Sequence, residues 1–402
     1  MVEKPRYRWA VLALGVLAQV AFAASYQGLA AVGPLFRSQF GLSLVETGAI
    51  LTGVSIGTAL TLVAWGALAD RMGERLVLAV GLTGEAVGLV LAAFAPGFLL
   101  TLAALVFTGM MGSCTNSASG RAVMGWFGKS ERGTALGIRQ MATPLGGGLA
   151  AASLPFISLA FGLRGGLLAL AVLSLLAAVA CGLWIRTPPA PAVRPVGTRA
   201  ASPMRDRRIW RIALGGSLLV GGQLSIINYL VLFLNVHRGV PLAVAAGLLA
   251  VVQFGGAGAR VAVGYWSDRR GERLGLMRLI ALAGTASFVL VAALAEAPLG
   301  LLVPALVVTG VIGMSSNGLG FTATGEIAGL ARAATAMGFQ NTGLFVAGTV
   351  FPIAFGAIAS SAGWTPAFGS AALLAALGWW VLNPLERLES VGWHVSADVA
   401  AS

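Results

Sequence analysis

Charged residues are scarce in this sequence. Of its 402 residues 10% are Asp, Glu, Lys or Arg, against 57% hydrophobic, and the mean hydropathy is +0.88. Soluble domains carry roughly a quarter charged residues, so a water-soluble fold is excluded and an integral membrane protein is implied. Histidine and cysteine are nearly missing, with two of each. Cys114 and Cys181 fall inside apolar runs without CxxC or Cys/His ligand spacing, which makes them small packing residues and leaves no disulfide, metal site or resident cofactor to expect. His237 falls in an outer loop and His394 in the tail. An intramembrane enzyme would need a Ser/His, paired-Asp or His/Glu set inside the apolar runs, so an enzyme is not expected. A receptor would add a soluble output segment beyond the last run, and only residues 386–402 follow it here.

Long apolar runs are what the chain has instead. A membrane-crossing helix takes about 20 of them, and the pattern predicts spans at 9–35, 46–69, 76–95, 98–127, 132–161, 165–186, 209–235, 243–267, 274–295, 299–327, 332–361 and 364–385. The expected fold is an all-α membrane protein, with twelve transmembrane helices in two pseudo-symmetric six-helix bundles, residues 1–186 and 209–386. A stretch rich in proline and arginine, 187–208, reads as a cytoplasmic linker, and 387–402 as a cytoplasmic tail. The 56 glycines suit helices that approach closely. Lys4, Arg6 and Arg8 before Ala21-Phe22-Ala23 imitate a cleaved signal peptide, but the apolar run continues to Gly33-Pro34, which favours a retained first span.

The net charge of +12 raises the question of nucleic acid, and the placement of the 26 basic residues answers it. Twenty fall in alternate loops and termini that share one side, three (Arg37, Arg164, Arg238) fall on the other, and three lie within spans. That is the positive-inside pattern. It implies a multi-pass protein of the inner or plasma membrane with both termini cytoplasmic, and no nucleic-acid partner.

The chain also repeats itself. Gly66-Ala-Leu-Ala-Asp70-Arg71-Met-Gly73-Glu74-Arg75-Leu76 returns as Gly264-Tyr-Trp-Ser-Asp268-Arg269-Arg-Gly271-Glu272-Arg273-Leu274, at an offset of 198. The same offset pairs Gly57 with Gly255; an offset of 201 pairs Gly109, Gly112, Asn116, Gly137 and Gly162 with Gly310, Gly313, Asn317, Gly338 and Gly363; and 203 pairs Tyr26 with Tyr229. Six spans per copy make the repeats parallel, about an axis normal to the membrane.

On these residues the sequence resembles the major facilitator superfamily along nearly its whole length. The signature of that family is the loop between spans 2 and 3, here Gly66, Leu68, Asp70, Arg71, Gly73 and Arg75, with the second copy keeping Gly264, Asp268, Arg269, Gly271 and Arg273. The resemblance implies a secondary transporter working by alternating access, in which these turns act as a gate. It also implies that Asp70 faces the start of span 11 near Ala331-Arg332, and Asp268 the start of span 5 near Ser130–Arg132. In span 5, Pro144 and Gly147-Gly148 resemble the end of the antiporter motif of drug exporters, but Arg139 and Thr143 stand where that motif has glycine. The stretch is read as a flexible, closely packed helix. Arg260-Val-Ala-Val-Gly264 resembles the Arg-x-x-x-Gly of monocarboxylate and oxalate carriers, in which the arginine holds the substrate carboxylate.

Charge inside a bilayer marks a pathway or a site. Arg121, Arg139 and Arg260 each lie about 10–12 Å deep, seven or eight residues from a charged loop. Each is read two ways, as a substrate ligand or as a side chain snorkelling to the inner headgroups. Tyr26, Asn116, Asn228, Tyr229, Gln253, Asn317 and Asn341 complete the candidate substrate pocket; the matched Asn116 and Asn317 have the second reading of bonding backbone across helices. Proton coupling needs a group whose charge changes during the cycle, and the candidates are Glu85 in span 3 and Glu326 at the inner end of span 10. Glu85 has a second reading as the partner of a nearby arginine. The expected cargo is a small organic anion, a monocarboxylate first, taken up with a proton by a monomer in the lipid bilayer. A proton-driven exporter of hydrophobic drugs is the alternative, and the excess of buried arginine over buried acid speaks against it.

Overall fold

The computed structural model describes residues 6–186 and 202–390. The expected linker is therefore described only from residue 202 and the tail only to 390; residues 187–201 and 391–402 lie outside the described residues. Every regular element among the described residues is helical.

Local chemistry starts and stops these helices. The first crossing is α1 (Tyr7–Gly28), a short 3₁₀ turn, and α2 (Gly33–Phe40). It runs past the expected end at residue 35, and Pro34 does not stop it because that proline sits in the first turn of α2, where its missing N–H has no partner to lose. A capping box opens α3 (Leu44–Met72): Glu46 N donates to Ser43 Oγ at 3.2 Å, and Ser43 N donates to Glu46 Oε2 at 2.9 Å. Gly73, at φ 85°, then turns the chain directly into α4 (Glu74–Phe94). The fourth crossing is interrupted at Ser113 into α5 (Phe98–Gly112) and α6 (Cys114–Trp126).

The next element, α7 (Arg132–Trp184), has 53 residues. Straight, it would be about 80 Å long, against roughly 30 Å of hydrocarbon. Gly162, at φ 72°, breaks it into two crossings. The remainder follows as α8 (Arg207–Leu232), α9 (Leu242–Arg270), α10 (Leu274–Ala293), α11 (Leu299–Ser315), α12 (Asn317–Ala328), α13 (Ala333–Ala362) and α14 (Trp364–Ser390). Eleven described helical segments are long and apolar enough to cross a membrane, and the break in α7 makes them twelve.

The backbone carries the repeat seen in the sequence. Gly41 and Gly239, Gly73 and Gly271, and Gly162 and Gly363 all have positive φ, and the pairs are spaced 198, 198 and 201 residues apart. A side chain would strain each of these turns.

Contacts gather the described residues into two compact units. The first lies within Met1–Gly128, Ile138–Pro203 and Ala328–Thr342; the second lies within Lys129–Gly137, Met204–Ile327 and Gly343–Ser402. In the first, Ala18 and Ala21 of α1 pack with Leu78 and Leu82 of α4 and with Ala177 and Ala178 of α7. In the second, Phe233, Phe288, Phe355 and Phe368 form an aromatic core. Large apolar side chains also point outward, with Leu159 and Phe161 76% exposed, as a surface solvated by lipid tails requires.

The paired glycines are the points of closest approach. Gly66 of α3 lies against the backbone of Ala334 and Thr335, and Gly264 of α9 lies against Gly133. A Cβ added at Gly264 would stand 2.7 Å from the carbonyl carbon of Gly133, whereas one at Gly258 would meet nothing within 4 Å. Gly264→Ala is therefore expected to cost about 1–3 kcal/mol, the usual cost of overpacking, read as a lower unfolding midpoint in detergent. Gly258→Ala should leave the midpoint within about 0.5 kcal/mol of wild type.

Candidate functional site

The two charged turns are caps for helices supplied by the other half of the sequence. The first N–H groups of any helix have no partner within it and carry the positive end of its dipole. At the end of α3, the Asp70 carboxylate accepts from Ala334 N at 3.1 Å and Thr335 N at 2.9 Å, and also from the Thr335 hydroxyl; all three donors belong to the first turn of α13. At the end of α9, Asp268 accepts from Gly133 N at 2.9 Å and from Thr134 N and Oγ1 at 2.7 Å, in the first turn of α7. These positions lie one to three residues beyond those the resemblance implied. Residues 133 and 134 relate to 334 and 335 by the same offset of 201.

A guanidinium completes each cap, and here the halves differ. Arg273 Nη1 donates to Asp268 Oδ1 and to Ser267 Oγ, both at 2.7 Å; its Nη2 donates to Lys129 O at 2.7 Å and lies 3.5 Å from Glu326. In the first half the equivalent residue, Arg75, turns away to the Gly182 carbonyl. Arg121 of α6 takes its place: Nε lies 3.1 Å from Asp70 Oδ1 and donates to Leu330 O at 2.9 Å, and Nη1 meets Glu74. Lys129 and Leu330 are again 201 residues apart, so the carbonyls repeat while the cation does not. Arg121 and Glu326, expected at the substrate and proton sites, thus lie at the two aspartate caps. Of the other gate candidates, Arg71 is exposed and Arg269 lies 4.8 Å over the Tyr265 ring.

A second polar layer lies deeper in the first unit. Arg139 of α7 is 0% exposed. It donates through Nε to Ser119 Oγ, through Nη1 to Gln140 Oε1, and through Nη2 to Gln19 Oε1 and Thr115 O, each at 2.8 Å, with Asn116 O at 3.0 Å. Gln19 Nε2 donates in turn to Asn116 Oδ1 and Thr143 Oγ1, both at 3.3 Å. Tight packing supports this layer, since Gly146 and Gly147 of α7 lie against Val20 and Gln27 of α1.

The second unit has a related pair. Asn317 Nδ2 donates to Gln223 Oε1 at 3.4 Å, beside the interruption at Ser316 that separates α11 from α12. Arg260 of α9 is 4% exposed, and its Nε donates to Met314 O at 2.9 Å. Gln253 Oε1 in the second unit and Asn341 Nδ2 in the first are buried without a hydrogen-bond partner among the described residues.

Other candidates go elsewhere. Tyr229 packs into aromatic side chains, with its ring 5.3 Å from Phe355 and 6.4 Å from Trp364, while Tyr26 stacks on Phe22 at 5.9 Å. Asn228 is exposed. Glu85 is fully buried against Phe22 and Gly112, with the Ser25 and Ser174 hydroxyls beside it but out of hydrogen-bonding geometry. No group of three His, Cys, Asp or Glu among the described residues could hold a metal ion. Gln19, Gln223 and Glu74 were missed in the sequence. The glutamines are 204 residues apart, one beyond the offset of 203 that matches Tyr26 with Tyr229 and would pair Gln19 with Gly222.

Removing Arg121 leaves Asp70 and Glu74 without their cation. Arg121→Gln is expected to cost on the order of 2–4 kcal/mol in detergent unfolding, less than a fully buried pair because Arg121 is 18% exposed. Arg71→Gln should change the midpoint by under about 0.5 kcal/mol.

Comparison with known proteins places this arrangement. The family model described as Major Facilitator Superfamily matches residues 15–352. An uncharacterized MFS-type transporter of Mycobacterium tuberculosis is 36% identical over 368 residues, covering 90% of this chain and 81% of the relative. A protein of Cupriavidus necator named as a probable sulfoacetate transporter is 27% identical over 429 residues, covering 96% and 97%. In fold, the chain is similar to the crystal structure of the transporter FucP in the outward conformation, with a TM-score of 0.76 at 17% identity over 94% of this chain and 99% of that one. The chain belongs to the Major Facilitator Superfamily of secondary transporters.

Proposed function

We propose that this transporter carries a small organic anion across the membrane by alternating access, with a carboxylate as the recognised group and a proton as the coupling ion. The observation that carries the reading is Arg260, a guanidinium 4% exposed in the middle of a spanning helix, with Nε fixed on the Met314 carbonyl. Holding such a charge within a bilayer is costly and is retained where a charge is handled. A guanidinium fork fits a carboxylate or sulfonate through parallel hydrogen bonds. The Cupriavidus relative supports the same charge sign, since sulfoacetate carries one group of each kind. Monocarboxylates such as lactate are the first class to test and sulfonated carboxylates the second.

The gate in this reading is the pair of aspartate caps. Opening toward the basic face, which we take as cytoplasmic, releases the first turns of α7 and α13 from Asp268 and Asp70. With Glu326 beside Arg273, Glu85 is the carboxyl group that remains for proton coupling. It is fully buried in the first unit, among Ser25, Phe22, Gly112, Cys114 and Ser174. A protonatable carboxyl enclosed in this way fits a step in which the proton moves with the conformational change.

Thermal-shift titration of the purified protein tests the cargo, because a ligand stabilises the state it binds. Lactate or sulfoacetate should raise the unfolding midpoint of wild type and fail to do so in Arg260→Gln; stabilisation by lipophilic cations alone would point to the exporter instead. Glu85→Gln tests the coupling. In proteoliposomes it should keep anion exchange at equal pH and lose accumulation driven by a pH gradient; unchanged gradient-driven accumulation would remove Glu85 from the mechanism.

A further inference from the structure

We propose that Asn116 presents its side-chain NH₂ to an acceptor oxygen of the cargo, and that Arg139 is the positioning residue that fixes this orientation through Gln19. The proposal rests on the anion-carrier reading above and deepens it.

Arginine has donors only. The Gln19 amide atom that Arg139 Nη2 meets at 2.8 Å must therefore be its oxygen, which turns Gln19 Nε2 away from the guanidinium. Gln19 Nε2 then faces two acceptors at 3.3 Å, Thr143 Oγ1 and Asn116 Oδ1. With Oδ1 accepting from Gln19, Asn116 must aim Nδ2 in the other direction. Asn116 is 6% exposed, and Nδ2 is buried with no acceptor among the described residues. Buried donors in folded proteins are almost always paired, and one left open asks for an explanation.

Cargo supplies one, since a polar group left open within a spanning helix is the kind that meets what a carrier moves. Asn116 stands in the first turn of α6, where its backbone N donates to Ser113 O at 3.1 Å in a tightened turn of the fourth crossing. The repeat adds the contrast. At the position related to Arg139 by the offset of 201 the chain has Gln340, whose amide can donate or accept. In the related pair it is Asn317 that donates, to Gln223, so the hydrogen bond runs in the opposite sense. Arginine at 139 thus makes the first-half pair a one-way relay ending in a donor. A neutral donor of this kind discriminates: it rewards a carboxylate or sulfonate oxygen and gives nothing to an ammonium group, which brings only donors of its own.

The test uses lactate and sulfoacetate as probes in counterflow with the reconstituted full chain, alongside detergent unfolding. Gln19→Glu is the informative variant. A glutamate still accepts from Arg139 but cannot donate to Asn116 Oδ1, so the Asn116 amide turns to donate to it and loses its aim at the cargo. The expected result is a KM for the anion raised about tenfold or more, the usual cost of a lost hydrogen bond to a charged group, with Vmax and the unfolding midpoint near wild type. Asn116→Asp should raise KM at least as much, and Thr143→Val should leave it within about twofold, since Gln19 keeps its other acceptor. Should Gln19→Glu unfold, Asn116→Asp and Thr143→Val still decide. Wild-type KM in Asn116→Asp would mean that the amide serves water alone, and would overturn the proposal while leaving the anion reading intact if Arg260→Gln loses transport. Loss of Vmax and of stability together in Gln19→Glu, with KM unchanged, would make the relay structural and overturn it too. Failure of the wild type to exchange any anion would remove both.

Discussion

An aspartate carboxylate over the first turn of a helix is the interaction on which the charged end of this protein depends. Alone, Asp70 or Asp268 would be an expensive group to bury, and the opening N–H groups of α7 and α13 would be donors buried without partners. Together they cancel: two carboxylate oxygens meet two backbone amides and a threonine hydroxyl, along the axis of the helix dipole. The glycines at 66 and 264 follow from the same requirement, because the carboxylate reaches those amides only if the two helix backbones nearly touch. Charge, cap and glycine are one device, used twice.

Where the device is copied and where it is altered separates scaffold from specialisation. Backbone partners repeat with fixed offsets: the capped amides, the carbonyls at 129 and 330, the glycines with positive φ and the interruptions near Asn116 and Asn317. The cations that complete the caps and those buried within the spans do not repeat. Arg121 does at Asp70 what Arg273 does at Asp268, from a different helix, and the sequence positions related to Arg139 and Arg260 hold Gln340 and Leu62. The helices must meet at both copies, so their contacts are constrained equally. Nothing constrains a cargo to be symmetric.

This division also explains what could be read from the sequence. Twelve spans were visible because a bilayer imposes a length and polarity that composition alone reveals, and the turn glycines at 73, 271, 162 and 363 because they recur at fixed offsets. The caps could be placed to within three residues because the repeated Asp-Arg-x-Gly resembles the family signature, which implies those partners. Side-chain partnerships were harder. Depth alone leaves Arg121 open between substrate ligand and snorkelling side chain, and its partners Asp70 and Glu74 escape both readings, because depth along a helix does not say which face a side chain takes. Gln19 escaped notice since an amide among apolar residues has no signal of its own; what makes it matter is Arg139, 120 positions away. Tyr229 is absorbed by Phe355 and Trp364, a packing preference that no spacing within α8 announces.

Buried arginine serving an anionic cargo is the proposal on which the rest of the functional reading depends. Counterflow in proteoliposomes addresses it most directly: the wild-type chain, loaded with unlabelled lactate or sulfoacetate, is offered the labelled compound outside, with a labelled lipophilic cation run in parallel. Accumulation of the labelled anion, absent in Arg260→Gln vesicles, is what an anion carrier gives. Exchange of the cation with none of the anions would mean that the charge sign has been read backwards.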